Sequence, residues 1–215
     1  TKNATISQLA SDIAFNIEKL SLNKPSLVGH SMGTLTILEY ISQFGTSNIS
    51  SCCFIDQSPK IITDDSWNLG LYRNYTIDDN NNFISDLKKN FVKTVMNLIL
   101  QNKVMTESEQ EAFSKMSIFK DREKAVSLLD PESWIHCWSD FVKNDYRPVL
   151  PEINVPTLLA YGKKSNFYGI DVANYMNKHI KNSKLELFET SGHSPQVEDP
   201  KKFLSSLTLF LKQNV

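Results

Sequence analysis

The sequence predicts an α/β fold: a mostly parallel sheet flanked by helices, with a helical insertion. Short apolar runs alternate with segments in which apolar residues recur every three or four positions. The alternation stops between residues 60 and 150, where only helical patterns remain. Strands that alternate with helices are typical of parallel sheets, in which ligands bind beyond the carboxyl ends of the strands.

Composition limits the classes of function. The chain has 215 residues, 40% hydrophobic and 22% charged, which suits one globular domain or one domain with an insertion. Its 23 basic and 24 acidic residues give a net charge of -1, which argues against nucleic acid or an anionic membrane as a partner. The apolar runs fall far short of the roughly 18 residues that a membrane-spanning helix needs, so no membrane span is expected.

The cysteines and histidines favour a reducing, cytoplasmic location and no metal site. The three cysteines are an odd number, and Cys52 and Cys53 are neighbours in an apolar run, which makes a disulfide framework improbable. Cys137 and the four histidines form no closely spaced ligand pairs of the kind zinc requires. The first residue is Thr1 rather than Met, so a trimmed or partial chain is expected, and an upstream targeting segment would not be visible.

The first 60 residues predict helix, strand, turn, helix and strand. An apolar stripe predicts a helix over residues 5 to 20, and the run 26–28 predicts a buried strand. A glycine-rich turn leads into a helix over 34–44, and a second strand over 52–55 ends at Asp56. Two further strands are predicted over 155–162 and 184–188. Each is followed by a loop and a helix, and the last of these helices ends the chain's pattern.

Residues 61–149 are predicted to form a helical cap, and residues 1–60 and 150–215 the core. The cap carries all three tryptophans. One apolar face predicts a helix running through Phe83 to Leu98, and the polar run 78–82 is interpreted as a loop.

The turn Gly29-His30-Ser31-Met32-Gly33 has the Gly-x-Ser-x-Gly pattern of a nucleophile elbow. A serine on a sharp strand-to-helix turn needs small neighbours, because side chains there would collide with the strand and the helix. The turn exposes the hydroxyl of Ser31 and points the helix N-terminus at it, so the Met32 N–H can help to hold an oxyanion. Ser31 is the candidate nucleophile.

The chain resembles the α/β-hydrolase family of serine hydrolases, and most closely the esterase and cofactor-free haloperoxidase-like branch with a helical cap. The segments that carry the resemblance are 27–33, 54–56, 153–159 and 191–200. The resemblance implies that His193 is the general base and that a triad occurs in the order serine, acid, histidine. Dehalogenase relatives use an aspartate at the elbow, so Ser31 argues against their chemistry.

The resemblance also implies that the chain is incomplete. In the family, several strands and the loop that gives the other oxyanion donor precede the elbow, whereas 30 residues precede Ser31 here. We therefore expect the missing N-terminal part of the same protein to act as a partner, and these residues alone to be unstable or nearly inactive.

The acid is where the sequence departs from the family pattern. Most relatives place an aspartate three residues past the glycine that ends the third strand, and Ser165 stands there. Asp56, at the end of the second strand, is the position that some relatives use instead, and it is the candidate acid. Asp171 is expected to cap a helix, and Asp145 to pair with a nearby arginine or lysine.

Four further residues are candidates for the pocket. His30 lies inside the elbow, so a packing or hydrogen-bonding role is expected and no proton transfer. The tryptophans would line an apolar cavity if the cap folds over the elbow, and otherwise they would form the core of the cap; they are Trp67, Trp134 and Trp138. Their spacing in the sequence does not distinguish between these two possibilities.

The function predicted is cleavage of an ester or thioester of a small, largely apolar substrate through an acyl-enzyme, with no cofactor and no metal. Two alternatives stay open on the same fold: a small-molecule receptor, and a perhydrolase or haloperoxidase-type activity.

Overall fold

The computed structural model describes residues 4–214, and its centre is a four-stranded parallel sheet in the order β1-β2-β3-β4. The strands are β1 Ser26–His30, β2 Ser51–Ile55, β3 Thr157–Gly162 and β4 Ser183–Phe188. Because all four run in one direction, their carboxyl ends meet at the same edge of the sheet. This edge brings together residues that are far apart in sequence.

Helices cover both faces of the sheet. Those of the described residues are α1 Ile6–Lys19, α2 Met32–Phe44, α3 Ile77–Lys89, α4 Phe91–Leu100, α5 Glu107–Ser114, α6 Ser117–Ser127, α7 Pro131–Phe141, α8 Ile170–His179, α9 Pro195–Glu198 and α10 Pro200–Asn214. The larger hydrophobic core lies on the face covered by α1, α2 and α8, and a smaller one lies under α10. Cys52 packs into the first and Cys53 into the second, as expected for neighbours in a strand.

The predicted elements of the first 60 residues are confirmed, with small shifts. Helix α1 begins after Thr5, whose hydroxyl accepts a hydrogen bond from the Gln8 N–H. Helix α2 begins at Met32, two residues earlier than predicted, because Ser31 itself makes the turn. Gly45, with φ of 69°, ends α2.

Five helices, α3 to α7, lie between β2 and β3, and two expectations about this stretch are wrong. The polar run 78–82 is helical rather than a loop: it lies within α3, where Thr76 and Asp79 form a capping box and acidic residues occupy the first turn. The apolar face predicted for one helix is divided between two, α3 and α4. Asn90 separates them: its backbone is not helical, with φ of -151°, and its side chain caps α4 by accepting from the Lys93 N–H. The division into core and cap domains stays a prediction.

Over residues 4–214, no helix combines the length and the apolar character needed to cross a membrane. The same residues hold no group of three or more side chains placed to bind a metal ion. All three cysteines are free thiols.

Candidate active site

The elbow between β1 and α2 holds Ser31 in a strained conformation, with φ of 55° and ψ of -125°. Such a conformation is costly for a residue with a side chain, and it is found mainly at functional sites. A Cβ atom on Gly29 would lie 2.6 Å from main-chain atoms of Gly33 and Thr34. A Cβ atom on Gly33 would meet no atom within 4 Å outside its own helix turn in the described part of the chain. The predicted collision therefore applies to Gly29 only.

Main-chain groups at the elbow point toward the carboxyl edge of the sheet. The Ser31 N–H donates to the carbonyl of Ile55 at 3.1 Å, which ties the turn to the end of β2. Among residues 4–214, the Met32 N–H has no acceptor, as is usual for the first N–H of a helix. It is available to an oxyanion that forms beside Ser31.

Asp56 and His193 form a buried pair at this edge. Their exposed fractions are 0% and 6%, and Nδ1 of His193 lies 2.8 Å from Oδ2 of Asp56. Because a carboxylate can only accept, the neutral imidazole carries its hydrogen on Nδ1 and keeps its lone pair on Nε2. This is the tautomer that a general base requires.

Two donors hold the Asp56 carboxylate in place. The Gly162 N–H donates to Oδ1 at 3.2 Å, and the Ser165 hydroxyl donates to Oδ2 at 2.7 Å. Asp56 itself has a φ of 46°, a second strained position in the site. Ser165 stands where the resemblance to the family implied an acid, and its hydroxyl contacts Asp56 instead. Sequence reasoning missed this role, although the position of Ser165 was a signal.

The loop that carries His193 is fixed from several sides. The His193 N–H donates to the Asn102 carbonyl at 3.1 Å, and the Phe167 ring lies 4.6 Å from the imidazole. Glu198 accepts from the Gly192 and Ser194 N–H groups at 3.0 and 3.3 Å. Neither Asn102, Phe167 nor Glu198 was singled out from the sequence, because each acts through contacts between distant segments.

His30 supports His193 and stays neutral. Its Nε2–H donates to the His193 carbonyl at 2.8 Å, and the two rings lie 4.6 Å apart. Burial lowers the pKa of His30 to about 4, and the nearby imidazole of His193 and guanidinium of Arg122 act in the same direction. His30 is therefore uncharged near pH 7.

The structure thus brings Asp56 and His193 into direct contact and places Ser31 next to His30, whose ring packs on His193. Among the described residues, the Ser31 hydroxyl makes no hydrogen bond to His193 in this conformation. Such contacts are often loose in the absence of substrate and tighten when it binds.

The three tryptophans lie in different surroundings. Trp67 makes its contacts with residues other than Ser31, Asp56 and His193. Its ring contacts Tyr175 and Arg147, and its Nε1–H donates to the Lys60 carbonyl. Trp134 and Trp138 stack on each other at 5.4 Å inside the insertion.

Trp138 also lines a cleft of about 710 Å³ beside α3 and α4, to which Tyr72, Phe83 and Leu98 contribute. The lining of this cleft does not include Ser31 or His193. The insertion reaches the elbow through α7, where the Cys137 sulfur lies 3.8 Å from that of Met32.

Asp145 and Asp171, the two acidic residues that the sequence analysis did not choose as the triad acid, make other contacts. Asp145 pairs with Arg147, as expected. Asp171 lies in the first turn of α8, one residue after the start of that helix, and its carboxylate is 3.8 Å from the Arg73 guanidinium. Gly169 rather than Asp171 is the N-cap residue.

Comparisons with known proteins place this arrangement in a family. The 3-oxoadipate enol-lactonase 1 of Acinetobacter baylyi is 22% identical over 211 residues, covering 98% of this chain and 73% of the relative. A non-heme chloroperoxidase of Kitasatospora aureofaciens is 24% identical over 215 residues, covering 95% of this chain and 74% of the relative.

Among solved structures, an esterase from Exiguobacterium antarcticum superposes with a TM-score of 0.80 at 27% identity, over 97% of this chain and 74% of the esterase. A bromoperoxidase from Bacillus anthracis gives a TM-score of 0.82 at 24% identity, over 94% of this chain and 72% of that chain. The sequence profile of the alpha/beta hydrolase fold matches residues 2–200. The chain therefore belongs to the alpha/beta hydrolase fold family, and it is an enzyme of the hydrolase class.

Proposed function

We propose that the chain is a serine hydrolase that cleaves an ester or thioester of a small, largely apolar substrate through an acyl-enzyme. The observation that carries the proposal is the buried His193–Asp56 pair, which in the neutral imidazole leaves the lone pair on Nε2, at the edge of the sheet where Ser31 follows β1. The esterase and the enol-lactonase among the relatives support the class of bond, since a lactone is a cyclic ester.

The chemistry follows from the positions of these groups. Ser31 Oγ attacks the carbonyl carbon while His193 Nε2 takes its proton, and Asp56 stabilises the imidazolium that forms. The Met32 N–H donates to the oxyanion, and His193 returns the proton to the leaving alcohol or thiol. Water then repeats the sequence on the acyl-enzyme and regenerates Ser31.

A second activity is favoured by the named relatives. The chloroperoxidase and the bromoperoxidase share the fold and most of the length of this chain. Hydrogen peroxide in place of water at the acyl-enzyme would release a peracid and restore the Ser31 hydroxyl. We propose this perhydrolysis as a side reaction of the same residues, measured by adding peroxide to an ester assay.

The partner proposed is a small-molecule substrate, with no nucleic acid and no membrane. We propose a cytoplasmic location, because Cys52, Cys53 and Cys137 are all free thiols, as is usual in a reducing compartment.

Covalent labelling tests the nucleophile. A fluorophosphonate probe should form one adduct on Ser31, located by mass spectrometry of the folded protein, because His193 activates this hydroxyl. Ser31→Ala should abolish the adduct, whereas Ser194→Ala, a change next to His193, should keep it. A folded protein that is labelled elsewhere and not on Ser31 would end the hydrolase proposal.

Turnover separates an enzyme from a receptor. Steady multiple turnover of a p-nitrophenyl ester, lost in Ser31→Ala, is the expected result. One slow turnover together with a large ligand-induced rise in melting temperature would favour the receptor instead.

A further inference from the structure

A small cavity lies beside the His193 loop and is distinct from the cleft at α3 and α4. Its volume is about 210 Å³. Four apolar side chains line it together with polar and charged ones, among them Lys103, Glu198 and the guanidinium of Arg122 on α6. The apolar residues are Met105, Phe113, Ile118 and Val197.

The cavity adjoins the catalytic group. Ser194, the residue after His193, lines it, and so does Asn102, whose carbonyl accepts from the His193 N–H. The charge of Arg122 also reaches His30, where it adds to the lowering of the pKa. His30 packs against His193, with the ring centroids 4.6 Å apart.

Arg122 has no partner for its charge within residues 4–214. It makes no hydrogen bond and no ion pair to another described residue. The carboxylate that shares the cavity is Glu198, and both of its oxygens are engaged. Oε2 binds the Lys103 ammonium at 2.7 Å, and Oε1 accepts the two main-chain N–H groups of the His193 loop.

A half-buried guanidinium among apolar walls has lost part of its hydration and offers five fixed donors. Carboxylates match this fork in geometry and charge, and hydrogen bonds between charged groups are stronger than those between neutral ones. The neighbouring apolar walls suit a short hydrocarbon chain between such a carboxylate and the bond to be cleaved.

We propose that Arg122 binds a free carboxylate carried by the substrate, so that the preferred substrates are short esters with a second, ionised carboxyl group. This inference rests on the proposed hydrolase function and adds its substrate class. Arg122 is then a specificity-determining residue that touches the substrate away from the reacting carbonyl.

The test compares charged and neutral esters of equal length. The mono-p-nitrophenyl esters of succinate, glutarate and adipate are measured against those of the corresponding unbranched monocarboxylic acids. The acetate ester of γ-hydroxybutyrate against butyl acetate tests a carboxylate on the alcohol side. At least one charged ester should exceed its neutral partner in kcat/KM.

The variant Arg122→Gln should lower kcat/KM for the preferred charged ester about ten- to a hundredfold, mainly by raising KM. It should change the neutral partner by less than about threefold. The matched control is Lys124→Gln, which removes the same charge from α6 two residues further on, at a position that turns to another face of the helix. The control should leave kcat/KM unchanged for both esters. Arg122→Lys should keep part of the preference for the charged ester.

A binding measurement keeps the two proposals apart. In Ser31→Ala protein, glutarate should bind by titration calorimetry, and the added change Arg122→Gln should weaken this binding at least tenfold. Hydrolysis that depends on Ser31 without any preference for charged esters would overturn the role of Arg122 and leave the proposed function intact. Glutarate binding through Arg122 without hydrolysis of any ester would overturn the proposed function instead.

Discussion

At the scale of single residues, the site depends on where one carboxylate stands. Asp56 and Ser165 follow neighbouring strands, β2 and β3, whose ends lie about 4.8 Å apart in a parallel sheet. A carboxylate at the end of β2 therefore reaches His193, and the hydroxyl at the end of β3 is left to donate to it. Asp56 could be predicted from its position at a strand end. The hydroxyl contact was not predicted, because a serine in a loop has no charge pattern and only the place of Ser165 after β3 pointed to it.

The first prediction concerns this carboxylate. Asp56→Asn should keep the fold but lower kcat for a p-nitrophenyl ester by about three to four orders of magnitude, because an amide favours the wrong tautomer of His193. Steady-state kinetics on the purified variant, with circular dichroism to verify folding, measures this.

Asp171→Asn is the matched control, since Asp171 is exposed and its carboxylate faces the Arg73 guanidinium. It should reduce kcat less than tenfold. The reverse ranking of the two variants would move the acid to the loop after β3.

A second residue-scale prediction follows from His30. With a pKa of about 4 in the folded protein and about 6.5 when unfolded, the unfolded chain binds more protons between these values. The free energy of unfolding should therefore decrease as the pH falls from about 6.5 toward 4. His30→Gln, which keeps an N–H donor that does not titrate, should flatten this part of the profile.

Urea unfolding at several pH values measures the effect. An unchanged slope in His30→Gln would mean that the decrease comes from other groups.

At the scale of elements, the strands and their order along the chain could be predicted, and the breaks within the insertion could not. Apolar periodicity continues across Asn90, because Leu87 and Phe91 both pack into the same cluster although they belong to different helices. The polar run at the start of α3 was predicted to be a loop because polar residues usually face solvent. One of them, Asn80, is instead buried and accepts from the Trp138 Nε1–H, and no periodic pattern predicts that contact. The polarity of a sequence indicates which residues face solvent, and it does not indicate hydrogen bonds between helices.

The elbow gives a prediction at this scale. Gly29→Ala places a methyl group 2.6 Å from main-chain atoms that cannot move without distorting the start of α2. It should cost about 3 kcal/mol or more of unfolding free energy and abolish labelling of Ser31. Gly33→Ala should stay within about 1 kcal/mol, toward greater stability, because alanine favours a helix.

Urea unfolding and fluorophosphonate labelling of both variants test the contrast. Equal losses in the two would mean that Gly33 faces a neighbour that residues 4–214 do not include.

At the scale of the whole molecule, the sheet has an edge next to the nucleophile. Strand β1 pairs with β2 on one side and, within the described residues, with no strand on the other. Val28, in the middle of β1, is 50% exposed, and Met32 at the elbow is 37% exposed. An exposed apolar edge strand is a site for pairing with further chain. The relatives are longer than this chain, which spans 72 to 74% of the four relatives compared above.

We propose on these grounds that an upstream strand segment pairs with β1 and brings a second oxyanion donor to Ser31. The 215 residues alone should then hydrolyse a p-nitrophenyl ester about 10² to 10³ times more slowly than the same chain with an added N-terminal strand segment, because one missing donor costs about that much in kcat. The added segment should also raise the melting temperature, since it covers Val28 and completes the hydrogen bonds of β1. The control is the same segment with prolines at alternate positions, which removes the N–H groups needed for pairing and should restore neither property. Full activity of the 215 residues alone would contradict the proposal and would require a second donor from within the described fold.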